Sequence, residues 1–471
     1  MTMIHFGTGG WRAIIGEDFT KANVQRLTCA LARKMKEEGA DRNGFIGYDR
    51  RFLSREAARW AAEVMAGECI PCRLINRKAP TPLIMFAVGY YGMRYGLAVT
   101  ASHNPALYNG IKVFMQGGRD ADETLTDALE VIIAQLGDGD IPVVPYEQAV
   151  AEGRVEEVDP LNPYLDSIIR SVNMDAIRSR GLRVILDPMY GVSRTSLQTI
   201  LLTARCDVDV IHERHDTLFG GRLPAPNRQT LSALRSVVLE RRADIGIATD
   251  GDADRLGIID DRGEFVHPNQ VLVILYYYLL KYKGLHGPAV RNIATTHLLD
   301  QVAAAFGETC YEVPVGFKHI SAKMLETNAV IGGESSGGLT VRGHIQGKDG
   351  IYAASLLVEM LAVTGKKLSR IYDDILAEYG SLVMVERDFR FTEQRKADIQ
   401  KLLLEEKKLP AFADRIEKVS YLDGCKVYFA DGGWIIARFS GTEPLLRIFC
   451  EMESREQADA TCNQMQQFLG V

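Results

Sequence analysis

The sequence predicts an α/β protein: three similar mixed α/β domains followed by a smaller α+β C-terminal domain. Apolar strand-like runs alternate with helically periodic stretches over most of the chain. Several of these strands run straight into glycine-rich loops carrying charged or hydroxyl side chains. After about residue 380 the alternation gives way to strand-like runs joined by short turns, closed by one amphipathic helix. At 471 residues the chain is too long for one ordinary domain. The expected boundaries are 1–150, 151–261, 262–380 and 381–471.

In the first block Val24, Leu27, Leu31 and Met35 share one face of a helix expected over 22–39. A strand over 45–49, a helix over 54–66, a strand over 73–75 and a strand over 96–99 follow, which suggests a largely parallel sheet. A helix over 124–136 precedes a Gly- and Pro-rich stretch. The second block reads as a helix over 163–172, strands over 182–187 and 208–211, a helix over 230–241 and strands over 244–249 and 256–261. The third reads as a helix over 269–283, strands over 290–294, 311–315 and 330–331, and helices over 298–306, 349–361 and 368–379. In the last block a helix over 392–403 and strands over 427–429, 434–438 and 445–449 lead to a helix over 454–469.

With 46% hydrophobic and 25% charged residues the composition is that of a globular protein. A net charge of −6 without a basic tract argues against binding nucleic acid through phosphate neutralisation. The N-terminal residues lack the basic and apolar regions of a signal peptide, and the run from Val271 to Leu280 is too short to span a bilayer. Eight scattered cysteines fit reduced thiols, so no membrane partner and a cytoplasmic location are expected. Cys69 and Cys72 have redox-motif spacing, but they precede a strand instead of opening a helix, which favours chance.

Four stretches carry chemistry, and a fifth supports them. Strand 96–99 delivers Ser102 into the loop Thr100-Ala101-Ser102-His103-Asn104-Pro105, and the next strand brings Lys112. A hydroxyl, an imidazole and an ammonium make a nucleophile site, although a polar turn explains that loop equally well by itself. Asp250-Gly251-Asp252-Ala253-Asp254-Arg255 places three carboxylates at alternate positions, which point one way on extended backbone. Such a set repels itself unless a hard cation lies between. A Ca2+ loop of the EF-hand kind would want glycine where Arg255 stands and helices on both sides. Gly332-Gly333-Glu334-Ser335-Ser336-Gly337-Gly338 offers a carboxylate and hydroxyls on accessible backbone, as a polyol requires. Arg438-Phe439-Ser440-Gly441-Thr442 with Arg447 reads as a phosphate cradle. Gly7-Thr8-Gly9-Gly10-Trp11-Arg12 lacks dinucleotide spacing, and a tight turn is its plainer reading, though Arg12 could grip an anion.

Taken in order, the four loops resemble those of the α-D-phosphohexomutase family along the whole chain. The resemblance implies four domains around a central cleft that holds the active site. Ser102 would carry a phosphoryl group, and Asp250, Asp252, Asp254 and a phosphate oxygen on Ser102 would hold Mg2+. Lys112 and His103 would move protons, with Arg12 supporting and Arg255 near the phosphoserine. Glu334 and Ser336 would hold sugar hydroxyls, Lys318 would add a substrate contact, and Arg438, Ser440, Gly441, Thr442 and Arg447 would grip the unreacting phosphate. A hexose 1,6-bisphosphate would be intermediate and primer, the only partner a small hexose phosphate, and the protein a monomer or homodimer. Phosphoglucosamine mutases usually carry Gln and His where Ser335 and Gly338 stand here, which favours glucose or mannose phosphates. The alternatives are a phosphoglucosamine mutase, a non-catalytic sugar-phosphate-binding module and a metal-dependent phosphatase.

Overall fold

The same strand–loop–strand reversal recurs in three successive sheets and places one functional loop at each reversal. The computed structural model describes residues 4–7, 9–40, 43–137, 139–439 and 445–471. In the first sheet the strand order is Trp11–Ile14, Tyr108–Met115, Tyr95–Val99, Gly44–Tyr48, Cys72–Ile75, Val155–Val158. Gly44–Tyr48 is parallel to both of its neighbours, whereas Tyr95–Val99 and Tyr108–Met115 are antiparallel. The strands read from the β–α alternation, over 45–49, 73–75 and 96–99, are parallel as expected, and Tyr108–Met115 adds an antiparallel neighbour that makes the whole sheet mixed. A loop as short as 100–107 can join only antiparallel neighbours, because a parallel return needs a crossover.

The second sheet runs Phe265–Val266, Leu256–Ile259, Ile245–Thr249, Arg183–Asp187, Asp207–Val210. Residues 250–255 are the reversal between antiparallel Ile245–Thr249 and Leu256–Ile259. In the third sheet, residues 334–338 reverse the chain between Ile331–Gly333 and Leu339–Val341. The fourth sheet is antiparallel throughout, ordered Val383–Arg390, Leu445–Met452, Trp434–Phe439, Cys425–Phe429, Ile416–Ser420.

Several elements escape the sequence reading, among them strands Val155–Val158, Val383–Arg390 and Ile416–Ser420 and helix Phe317–Thr327. Helix Thr81–Tyr90 buries Leu83, Ile84, Met85, Ala87 and Val88 and is apolar on every side, so it has no helical period to detect. Trp11–Ile14 follows the N-terminal glycines as an edge strand on Tyr108–Met115. Gly10 has φ +108°, and a Cβ there would stand 2.6 Å from the Ile111 carbonyl oxygen, so the close approach of these strands needs glycine.

One continuous apolar core extends through the first three domains, with Leu275, Tyr276, Leu356 and Leu357 fully buried in it. The fourth domain has its own core around Val427, Ile435, Ile448 and Met465. A small cluster of Ile293, Ala294, Trp434, Ile436 and Phe449 joins the third and fourth domains. Among the described residues no helix is long and apolar enough to cross a membrane. The cysteines are free; Cys69 is exposed and Cys72 buried, and burial pushes the Cys72 thiol up to about 12, which suits no redox pair.

Candidate active site

The reversal loops of the first three sheets meet. Ser102 Oγ donates to Asp250 Oδ2 at 2.7 Å, and the Ser102 carbonyl oxygen lies 2.7 Å from where a Cβ on Gly251 would be. Arg255 and Gly338 form a backbone bridge between the second and third loops, and Leu256 N–H donates to Gly337 O at 3.1 Å. Any side chain at position 251 would push the serine loop away.

Ser102 has φ +50° and is buried, so its conformation is held by its surroundings. The buried Arg51 guanidinium does most of this. Its Nη2 donates to Ser102 O at 2.7 Å and Asn104 O at 2.6 Å, and its Nη1 donates to Pro105 O at 2.9 Å and Tyr108 O at 3.0 Å. Asp49 accepts from Thr100 Oγ1, Ser54 Oγ and the Arg51 N–H, and Thr100 Oγ1 accepts from the Ser102 N–H. His103 Nδ1 lies 3.5 Å from Ser102 Oγ. Burial, and then the positive charges of Arg255 and Arg12, hold the His103 imidazole well below its usual range. A neutral imidazole beside the serine can accept a proton.

Asp250, Asp252 and Asp254 are buried, and each offers an oxygen within 4.8 Å of the others. Lys112 Nζ donates to Asp252 Oδ2 at 2.7 Å and to Asp254 Oδ2 at 2.6 Å. Thr81 Oγ1 donates to Asp252 Oδ2 at 2.7 Å, and the Arg255 N–H donates to Asp250 Oδ1 at 3.0 Å. Burial, reinforced by the charges of Asp252 and Asp254, pushes the Asp250 carboxyl well above the usual carboxylate range. Burial also opposes ionisation of Asp252 and Asp254, but the contacts with Lys112 prevail and both carboxyls lie low. For Lys112 the burial penalty is likewise outweighed, here by Asp252 and Asp254, and its ammonium is held above the usual range.

Asp252 Oδ1 and Asp254 Oδ1 are buried with no hydrogen-bond partner. Two orphaned carboxylate oxygens beside a third carboxylate fit a hard divalent cation, which takes oxygen ligands. Mg2+ suits this donor set, and Asp250, Asp252 and Asp254 would hold it.

Around the triad stand further cations. Arg12 and Arg255 each have a buried Nε without a hydrogen-bond partner. Arg255 Nε is 3.9 Å from Asp254 Oδ1. Lys348, which the sequence reading did not single out, places Nζ 3.3 Å from Asp254 Oδ2. Its stem occupies the space over Gly338, where a Cβ would stand 2.2 Å from Lys348 Cδ. Half-buried Asp120 sits among Lys348, Lys112, Asp254 and Glu334, and its desolvation raises the carboxyl above the usual range. In the third loop Ser336 Oγ donates to Glu334 Oε1 at 2.7 Å, and Asn292 Nδ2 donates to Glu334 Oε2 at 3.3 Å.

The structure thus brings Ser102, His103, Lys112, Asp250, Asp252, Asp254, Arg255 and Arg12 into one neighbourhood, with Glu334 and Ser336 on the adjoining loop. Lys318 stands at the start of helix Phe317–Thr327, its Nζ 2.9 Å from Glu123 Oε1 of the first domain. Arg438 and Arg447 face each other across an antiparallel pair in the fourth domain. Ser440, Gly441 and Thr442 lie outside the described residues, as does Thr8. Arg51, Thr81 and Lys348 were missed because each acts through contacts far away in the chain.

Models of the phosphoglucomutase/phosphomannomutase family match the chain in four consecutive pieces. Alpha/beta/alpha domain I covers residues 3–139, domain II 162–263, domain III 267–379, and the C-terminal domain 398–467. The chain belongs to the α-D-phosphohexomutase family. It is 31% identical to a phosphoglucomutase/phosphomannomutase of Thermococcus kodakarensis, over 96% of this chain and 95% of that one. It is 30% identical, over the same shares, to a probable phosphoglucosamine mutase of Methanopyrus kandleri. The crystal structure of a putative phosphomannomutase from Thermus thermophilus superposes with a TM-score of 0.86 at 29% identity, covering 100% of both chains. As a phosphohexomutase-family protein with an ordered set of four domains, the chain has the mixed α/β architecture expected of it.

Proposed function

We propose that this protein moves a phosphoryl group between the 1- and 6-positions of glucose or mannose phosphate through a phosphoserine at Ser102. The observation that carries the reading is the placement of Ser102 Oγ 2.7 Å from Asp250 Oδ2, inside a buried carboxylate triad with Lys112 at its other side. A serine there can hold a phosphoryl group while nearby cations offset its charge of about −2. Mg2+ bound to the triad would supply electrostatic stabilisation of the phosphoryl oxygens.

The chain's own residues account for the rest. Arg51 and Thr100 fix the serine loop, so Ser102 Oγ is aimed before substrate arrives. His103 takes the proton of the attacking sugar hydroxyl and returns it to Ser102 Oγ as the phosphoryl group leaves, and the reverse transfer runs through the same nitrogen. Lys112 offsets two carboxylates and, with Arg12 and Arg255, attracts the phosphoryl group. Glu334 and Ser336 are already paired, ready to exchange that bond for sugar hydroxyls. The fourth domain's Arg438 and Arg447 hold the phosphate that does not react. The bisphosphate then rebinds in the opposite orientation and returns a phosphoryl group to Ser102.

The absence of a side chain at Gly338, with Lys348 over it, supports glucose or mannose phosphate as substrate; several relatives bear the phosphoglucosamine mutase name, which makes that the runner-up. The deciding assay measures isomer formation from the 1-phosphates of glucose, mannose and glucosamine, with Mg2+ and glucose 1,6-bisphosphate. Inactivity on all of them would overturn the proposal. Preference for glucosamine phosphate would replace the substrate assignment but keep the mechanism.

A further inference from the structure

Two cations expected to face substrate, Arg438 in the fourth domain and Lys318 in the third, are linked through one carboxylate. Asp423 lies in the turn between strands Ile416–Ser420 and Cys425–Phe429. Its Oδ1 accepts from Arg438 Nε and Nη2, each at 3.4 Å, and its Oδ2 is 3.4 Å from Nη2. Asp423 Oδ2 also accepts from the Val315 backbone N–H at 2.9 Å, across the boundary between the domains. Val315 leads into Gly316, whose φ of +128° turns the chain into helix Phe317–Thr327 and sets down Lys318 in its first turn. His319, beside Lys318, also lies within the field of Asp423.

The turn has little freedom to drift. Gly424 has φ +88°, and a Cβ there would stand 2.6 Å from Ala437 O and 2.7 Å from Arg438 Cβ. The backbone next to Asp423 is therefore pressed on the strand that carries Arg438. A guanidinium has five N–H donors in a fixed fork. Asp423 occupies the edge formed by Nε and Nη2, which leaves the Nη1 side of the fork for an incoming anion.

We propose that Asp423 is a positioning residue for substrate phosphate: it selects the free edge of Arg438 and, through Val315, sets the spacing of Arg438 from Lys318. The inference rests on the reading of the chain as a hexose-phosphate mutase. A substrate that reacts in two orientations needs its idle phosphate held at one fixed distance from the serine both times. A carboxylate spanning both domains supplies that register.

The experiment compares wild type with Asp423→Ala and with Asp423→Asn, which keeps an acceptor for Val315 N–H but drops the charge. Steady-state kinetics on the best hexose 1-phosphate are read together with inhibition by inorganic phosphate. Asp423→Ala is expected to raise KM about tenfold with kcat within about threefold, and to weaken phosphate inhibition by a similar factor. Asp423→Asn should fall between. On an Arg438→Met background, Asp423→Ala should add nothing further. Unchanged KM in both Asp423 variants, or a full Asp423→Ala effect on that background, would overturn the inference. Should wild type isomerise no hexose phosphate, the functional reading fails separately. Calorimetric phosphate affinity then decides: weaker binding by Asp423→Asn supports the role of Asp423, and equal affinity overturns it.

Discussion

Ser102 and Asp250 come from different domains and 148 residues apart, yet their side chains share a 2.7 Å hydrogen bond in a buried site. The bond makes the serine oxygen part of the carboxylate cluster. Ser102→Ala should therefore lower turnover by about a thousandfold or more while leaving the thermal midpoint nearly unchanged. Peptide mapping should find phosphate at Ser102 in wild type after incubation with glucose 1,6-bisphosphate. An alanine variant retaining a tenth of wild-type turnover would remove Ser102 from the mechanism.

The triad predicts opposite effects of one substitution with and without a divalent cation. Without one, Asp250 is held well above the usual carboxylate range by burial and by the charges of Asp252 and Asp254. Asp250→Asn relieves that repulsion and should raise the thermal midpoint of chelator-treated protein. With Mg2+ at about 100 times its dissociation constant, wild type should gain about 2.7 kcal/mol from binding alone. The variant should gain much less. Thermal unfolding with and without Mg2+ checks this, and equal gains for both proteins would exclude the triad as the cation site.

Gly338 and Lys348 share one space, since a Cβ on the glycine would stand 2.2 Å from Lys348 Cδ. Gly338→Ala should swing the lysine stem aside and take its ammonium away from Asp254. Turnover is expected to drop by about a hundredfold, the scale of a lost charge or proton-transfer contact. Lys348→Met should lose a similar factor, and the double variant should be no worse than either single one. Additive losses would mean that Gly338 matters for reasons other than Lys348.

These relationships divide what the sequence displays from what it conceals. The aspartates at 250, 252 and 254 are legible from their alternation and strand-like flanks, but the expected extended backbone is corrected. The segment is a turn, with Ala253 at φ +64° and its N–H donating to Asp250 O at 3.1 Å. Ser102 is legible because an apolar strand and a cation bracket it. Lys348 is not, because its significance comes from a glycine ten residues earlier and an aspartate on another domain. Arg51 similarly resembles a surface arginine until the carbonyls of Ser102, Asn104, Pro105 and Tyr108 gather on it. Helix Thr81–Tyr90 is hidden because it is apolar on every side, which erases periodicity. In the first sheet the strands read from β–α alternation pair in parallel as expected, whereas the antiparallel return of Tyr108–Met115 follows from the short loop 100–107, which alternation alone does not show.

The joint between the third and fourth domains should loosen in acid. His297 N–H donates to Glu451 Oε2 at 2.8 Å, and His297 Nε2 lies 3.0 Å from Lys426 Nζ, which also meets Glu312 Oε2 at 2.8 Å. The ring packs beside Trp434 and Tyr428. Burial, followed by the charge of Arg291, pushes the imidazole down to about 3, Glu312 opposing and Lys426 assisting. An unfolded histidine titrates near 6.5, so below that pH the unfolded chain takes up a proton which the folded joint refuses. Stability is thus fully present above about pH 6.5 and is lost as pH falls toward 3, with a slope approaching about 1.4 kcal/mol per pH unit. His297→Gln keeps an acceptor for Lys426 but cannot titrate. Urea unfolding followed by tryptophan fluorescence should show the variant close to wild type at pH 7.5 and with a shallower decline between pH 6 and 4. Parallel declines for the two proteins would assign the acid sensitivity to other groups, because only the histidine differs between them.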